Sequence, residues 1–242
     1  MIKEINELIT LANAAISNGD YENAAMFIRE ISRLNLEVLF ADRVRNAHFL
    51  AIGAHWETIT RLLPNSTNSL VETGWVNSLV RQEPVNAQNQ PIPWFTYPSI
   101  DFIEPRIQKS WRVFEWGSGN SSLWWSSRVA TVCSVEHDYN WFLRTTARLH
   151  ANNHLDYEIT MKGYIDNIYR HYKETDIGFD VIIIDGEWRN ECAQIAANCL
   201  SPKGFIIFDN TDRRMFEPGS AFLSSLGFMR IDFHGLMHLH FH

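Results

Sequence analysis

Carboxylates and glycines gather where apolar runs of this chain give out. Residues 113–122 read Val-Phe-Glu-Trp-Gly-Ser-Gly-Asn-Ser-Ser, and residues 135–137 read Val-Glu-His. Further on, Val-Ile-Ile-Ile-Asp-Gly occupies 181–186 and Phe-Ile-Ile-Phe-Asp-Asn occupies 205–210. Gly117 and Gly119 let a backbone turn tightly and approach a ligand without Cβ clashes. Asn120, Ser121 and Ser122 then open a helix, whose free N–H groups favour an anionic group. Glu136 follows about twenty residues later, at the distance where a carboxylate accepts hydrogen bonds from ribose hydroxyls. A nicotinamide-type loop would want a third glycine where Ser122 stands, so a dehydrogenase loses support. Taken alone, Gly-x-Gly serves equally well as a plain turn.

The elements that must hold these residues follow from periodicity. Strands are expected at 112–117, 131–137, 157–162, 179–186 and 205–210, separated by helices at 121–129, 140–152, after Tyr164, at 190–200 and near 214–226. The turn-forming Ser-Pro-Lys-Gly at 201–204 ends the fourth of these helices, and residues 227–242 read as an antiparallel hairpin turning at His234-Gly235. Repeated βα units specify an α/β fold with a doubly wound, mostly parallel sheet. Ligands of such sheets bind beyond the carboxyl ends of the strands, which is where Glu115, Glu136, Asp185 and Asp209 fall.

The N-terminal part has a different texture. Residues 1–63 form an expected all-helical domain, with Ile5, Leu8, Ile9, Ala12 and Ile16 at helical spacing. Asn18-Gly19 stops the first helix and Asp20 caps the next, in a turn similar to the joint of a tetratricopeptide-type hairpin. Such a domain suits protein docking, self-association or covering a site. Residues 64–98 are a loop-rich connector or flap, dense in Pro, Asn and Gln, whose Trp94, Phe95 and Tyr97 are expected to pack on the following domain at 99–242.

Composition narrows the function classes. The 242 residues include 45% hydrophobic and 20% charged residues, the pattern of an ordinary globular protein. A formal charge of -7, with no basic run, argues against nucleic acid as a partner. The polar-studded N-terminus reads as neither signal peptide nor membrane span, so no membrane partner is expected. Cys133, Cys192 and Cys199 lack metal-ligand spacing and point to a reducing, cytoplasmic setting.

At these residues the chain resembles the class I S-adenosylmethionine-dependent methyltransferases, over roughly residues 96–242. Val-Phe-Glu-Trp-Gly-Ser-Gly-Asn-Ser-Ser is similar to that family's first motif, Ser-Val-Glu-His to its ribose-binding strand end, and Val-Ile-Ile-Ile-Asp-Gly to its fourth-strand motif. Leu-Ser-Pro-Lys-Gly-Phe-Ile-Ile-Phe-Asp-Asn resembles the fifth. The resemblance implies a Rossmann-like fold and S-adenosylmethionine as cofactor. It implies that Gly117, Ser118 and Gly119 face the methionine portion, that Glu115 orients the loop, that Glu136 binds ribose and that His137 flanks the adenine. Tyr164 to Asp166 would approach the adenine edge, and Asp185-Gly186 would lie beside the transferred methyl, with Asp185 as the candidate base.

A metal-dependent O-methyltransferase subset of that family places Asp after strand four and Asp-Asn after strand five, which Asp185, Asp209 and Asn210 match. Three oxygen ligands suit Mg²⁺ or Ca²⁺, although the Lys usual after the first Asp is missing and Trp188-Arg189 stand nearby. The alternative is that Asp209 and Asn210 cap a loop. Arg189 either meets an anionic substrate group or pairs with Glu187 or Glu191, and Tyr97 and Trp188 are the other candidate substrate contacts. His234, His238, His240 and His242 read as placement along a terminal strand. The function expected is methyl transfer to a small-molecule or sugar-like acceptor, at oxygen before nitrogen. The alternatives are a cofactor-binding docking module without turnover and an aminopropyltransferase-like enzyme.

Overall fold

The structure is a computed structural model, and it describes residues 72–81, 83–150, 153–173 and 177–235 together with some of 7–27. The chain divides into two compact units, Met1–Gln90 with Met237–His242, and Pro91–Leu236. In the first unit the expected cap at Asp20 is present, its Oδ1 accepting the Asn23 N–H at 3.2 Å. The expected helical domain over 1–63 otherwise lies largely outside the described residues. Helix α1, Trp75–Arg81, is fastened to the chain beyond it by Ser78, whose hydroxyl accepts the Val85 N–H at 3.0 Å.

The second unit is built on five parallel strands. β1 is Arg112–Trp116, β2 Thr131–Glu136, β3 His154–Tyr157, β4 Phe179–Ile184 and β5 Leu200–Phe208. Their order is β3-β2-β1-β4-β5. Helix α2 (Tyr97–Ile103) precedes β1; α3 (Asn120–Ser126), α4 (Tyr139–Thr146), α5 (Met161–Lys173) and α6 (Arg189–Ala196) connect successive strands, and α7 (Glu217–Ser225) follows β5. The expected Rossmann-like α/β architecture is therefore present as an all-parallel sheet. No described helix is long and apolar enough to cross a membrane.

Both faces of the sheet are covered, which is why its central strands are apolar at nearly every position. On one face Phe114, Trp116, Val135, Ile182 and Ile184 pack with Tyr164 and Ile168 of α5 and Cys192, Ala193 and Ala196 of α6. On the other, Val113, Val132, Val181 and Ile183 meet Trp124 and Trp125 of α3 and Ile100 and Ile103 of α2. Phe95 is buried in this second layer and Tyr97 packs against it, so these two aromatics of the expected flap join the sheet unit. All three cysteines are buried free thiols. Burial pushes the Cys199 thiol up to about 11 and Cys192 higher still.

Several boundaries differ from expectation; α4, for one, ends at Thr146 rather than at 152. β3 covers 154–157 rather than 157–162, because the Glu158 carboxylate accepts the Thr160 N–H and hydroxyl at 2.9 and 2.8 Å and starts α5 at Met161. Lys162-Gly163 thus lies in a helix and not at a strand tip. Ser201 to Gly204 belong to β5 rather than to a turn before it, and the register with β4 shifts between Phe179 and Val181 to absorb them. The first arm of the expected terminal hairpin, 228–234, is not strand: Met229 and Ile231 are 94% and 65% exposed, so alternation there marks no buried face. The second arm, with His238, His240 and His242, lies outside the described residues.

Candidate functional site

The order β3-β2-β1-β4-β5 reverses direction between β1 and β4, and the strand-tip loops of that pair meet there. Gly117 has φ 94° and Gly119 φ 156°, values that a side chain resists. A Cβ on Gly117 would lie 3.1 Å from the Asp185 carbonyl and the Gly186 nitrogen. Gly186 faces the same constraint more severely, since a Cβ there would lie 1.9 Å from the Tyr164 hydroxyl and 2.9 Å from the Gly117 nitrogen. Two loops that are distant in sequence are therefore in backbone contact at the switch point.

Glu115 holds this loop from beneath. It is 1% exposed, and its carboxylate accepts hydrogen bonds from the Ser121 and Ser122 hydroxyls and, at 3.3 Å, from Ser134. Ser122 in turn accepts the Gly119 N–H at 3.1 Å, so a relay of hydroxyl and amide runs from β1 to the turn. Burial raises the Glu115 carboxyl to about 7, against the lowering effect of the three serines and with a further upward push from Glu136. Asn120, Ser121 and Ser122 are themselves buried, and the two serine hydroxyls point back at Glu115.

Glu136, 3% exposed, ties the same loop to β2. Its Oε2 accepts the Ser118 N–H at 2.9 Å and the Ser118 hydroxyl at 3.0 Å, and its Oε1 accepts the His137 and Asp138 N–H groups at 2.8 Å each. Trp141, in the first turn of α4, donates its indole N–H to the Ser118 carbonyl, and its ring lies 3.0 Å from where a Gly119 Cβ would stand. Reading the sequence misses Trp141. Its one signal is the spacing from Asp138, whose carboxylate caps α4 by accepting the Trp141 N–H at 2.7 Å.

An aromatic cluster stands beside Gly186. The His137 and Trp188 rings lie 6.0 and 5.3 Å from Tyr164, both edge-on. Tyr164 is fully buried and its hydroxyl makes no hydrogen bond of normal geometry among the described residues. Trp188 sits at φ 47°, a left-handed conformation that costs a bulky residue about 1 kcal/mol or more.

That bend places Arg189 at the start of α6, where it meets Asp185, Asp209 and Asn210 rather than Glu187 or Glu191. Its Nη2 is 3.0 Å from both the side-chain Oδ1 and the carbonyl of Asp185. Its Nη1 reaches the Asp209 carbonyl at 3.0 Å, Asp209 Oδ2 at 3.5 Å and Asn210 Oδ1 at 3.3 Å. Its Nε donates to the Gly186 carbonyl at 2.8 Å. Burial and the neighbouring Asp209 carboxylate hold the Asp185 carboxyl well above the usual range, while Arg189 pulls the other way. Of the sequence candidates, Glu115, Gly117 to Ser122, Glu136, His137, Asp185, Gly186, Trp188, Arg189, Asp209 and Asn210 all gather at this end of the sheet. Tyr97 instead begins α2, packed in the layer of Phe95 and Trp124.

No family model matches the chain, and no curated protein is similar to it in sequence. Among solved structures it is similar to the precorrin 8W decarboxylase of Methanobacterium thermoautotrophicum. The TM-score is 0.48 at 18% identity, over 62% of this chain and 80% of that one.

Proposed function

We propose that the chain is an S-adenosylmethionine-dependent methyltransferase whose acceptor is a small or sugar-like molecule, methylated at oxygen. The observation that carries this reading is the Gly117-Ser118-Gly119 loop, set at the switch point in a conformation open to glycine and anchored to a buried carboxylate on each side. S-adenosylmethionine supplies a sulfonium methyl that is already electrophilic, so the chain must chiefly align donor and acceptor. Gly117 and Gly119 offer close backbone approach. Glu136 accepts a hydroxyl from Ser118, and a sugar hydroxyl can replace that serine in kind, one donor for another. His137 and Trp188, braced from behind by the buried Tyr164, offer rings to a flat heterocycle. Asp185, with its proton affinity raised, is suited to take the acceptor's proton.

Calorimetric titration of the full chain with S-adenosylmethionine and S-adenosylhomocysteine tests the reading. Both should bind, Glu136→Ala should weaken binding at least about tenfold, and Ser118→Ala, which removes the competing hydroxyl, should not. Absence of any binding heat in the folded wild-type protein would end the proposal. A docking module without turnover, or aminopropyl transfer, would share the cradle; methylated product from a panel of hydroxylated acceptors separates the three.

A further inference from the structure

We infer that Arg189 is a built-in cation standing where the resemblance would put a divalent metal ion, so that Asp185, Asp209 and Asn210 hold a guanidinium in place of Mg²⁺ or Ca²⁺. The inference goes beyond the proposed activity and stands whether or not the chain transfers methyl groups.

The donor set does not fit an ion while Arg189 is in place. A guanidinium presents its N–H donors in a fixed plane, and here each of its three nitrogens has oxygen partners. Nε serves Gly186, Nη2 serves both oxygens named on Asp185, and Nη1 serves the Asp209 carbonyl and is shared between the Asp209 and Asn210 side chains. Magnesium or calcium would need six or more oxygens at about 2.0–2.6 Å. The oxygens available are already turned toward nitrogen atoms, and an entering dication would meet a fixed positive charge.

The surroundings hold the side chain there. Its guanidinium carbon lies 5.0 Å from the centre of the Phe216 ring, and only 12% of the side chain is exposed. Trp188 at φ 47° aims α6 so that Arg189 comes first on it, and Asn210 at φ 56° bends the loop after β5 toward the same point. Two left-handed residues on separate loops thus converge on one guanidinium. Arg189 joins the β4 and β5 tips and holds Asp185, whose carbonyl lies beside Gly117, as a positioning residue.

Manganese binding to the full-length protein, read by electron paramagnetic resonance, tests the inference. The wild type should bind no stoichiometric Mn²⁺ at millimolar concentration, and its thermal midpoint should be the same with Mn²⁺ or with chelator. Arg189→Ala leaves two carboxylates and an amide oxygen facing one another, and it should bind one Mn²⁺ at least about tenfold more tightly than wild type. Its lowered thermal midpoint should recover with Mn²⁺ and not with Na⁺, and adding Asp209→Asn should abolish both effects. Stoichiometric Mn²⁺ in the wild type, lost with Asp209→Asn, would overturn the inference, and so would a folded Arg189→Ala protein indifferent to Mn²⁺. Should Arg189→Ala not fold, Arg189→Met keeps the bulk without the charge and is held to the same two outcomes.

Discussion

Gly186→Ala is expected to be among the most damaging single-methyl additions in the second unit, and the reason can be isolated. The new Cβ would lie 1.9 Å from the Tyr164 hydroxyl, about 1.5 Å short of van der Waals contact. Tyr164 cannot swing aside easily: it is fully buried, its ring abuts His137 and Trp188, and its carbonyl accepts the Trp116 indole N–H at 3.0 Å. Overpacking a closed core costs about 1–3 kcal/mol, and a clash this deep belongs at about 3 kcal/mol. Tyr164→Phe removes the clashing oxygen and sets the nearest ring atom back by one bond length. The Glu187 backbone lies within reach of that hydroxyl, so its loss should by itself change stability by no more than about 1 kcal/mol. Added to Tyr164→Phe, Gly186→Ala should then cost only about 1 kcal/mol, the remainder coming from the Gly117 nitrogen at 2.9 Å. Urea unfolding of the wild type, the two single variants and the double variant should therefore give a coupling of about 2 kcal/mol. Additivity within about 0.5 kcal/mol would refute the placement of the phenol over Gly186.

Three further expectations concern charge and strain. His171 is buried against Asp156 (Nε2 to Oδ2 3.1 Å); burial alone would lower it, but Asp156 and Cys133 raise it from 6.5 to about 9. The stability it contributes is therefore full below pH 6.5 and lost as pH rises through 9, by at most about 3 kcal/mol, and Asp156→Asn should reduce that slope in urea titrations run at each pH, leaving the part owed to Cys133. Glu115, raised by burial from 4.5 to about 7, binds its proton more tightly when folded, so stability should fall between pH 4.5 and 7 by up to about 3 kcal/mol. A Glu115→Gln protein whose pH slope in that window matched wild type would contradict this. At Trp188 both small replacements lose the ring packing, but glycine relieves the left-handed strain that alanine keeps. Trp188→Gly should therefore be about 1 kcal/mol more stable than Trp188→Ala by thermal unfolding, and the reverse order would show that the backbone there is unstrained.

The central strands were legible because burial on both faces leaves continuous apolar runs, and each ended at a residue that could not be buried unpaired: Glu115, Glu136, Asp185. The edge was not. β3 has two exposed residues in four, so its apolar signal slid toward Ile159 and Met161, which are 63% and 42% exposed. The run from Phe228 to His234 alternates without a buried face to explain it. In the site, spacing along the chain suggested Glu187 or Glu191 as partners for Arg189. Convergence on Asp209 and Asn210 depends on β5 lying beside β4 and on a left-handed tryptophan, neither of which is visible in one dimension. The cover of Trp141 over Gly119 was hidden for the same reason.

The three thiols give the second unit an internal clock. Cys133 lies in the middle of β2, Cys192 on the sheet-facing side of α6 and Cys199 just before β5, all shut from solvent. A thiol reagent can reach them only when the part of the molecule covering each one opens, so their modification rates time the opening of three separate regions without any added label. Cys192 and Cys199 report on the α6–β5 side that carries Arg189, and Cys133 on the sheet interior. A ligand bound at the switch point should slow the first two more than the third, which offers a direct way to detect binding at this site before the ligand's chemistry is known.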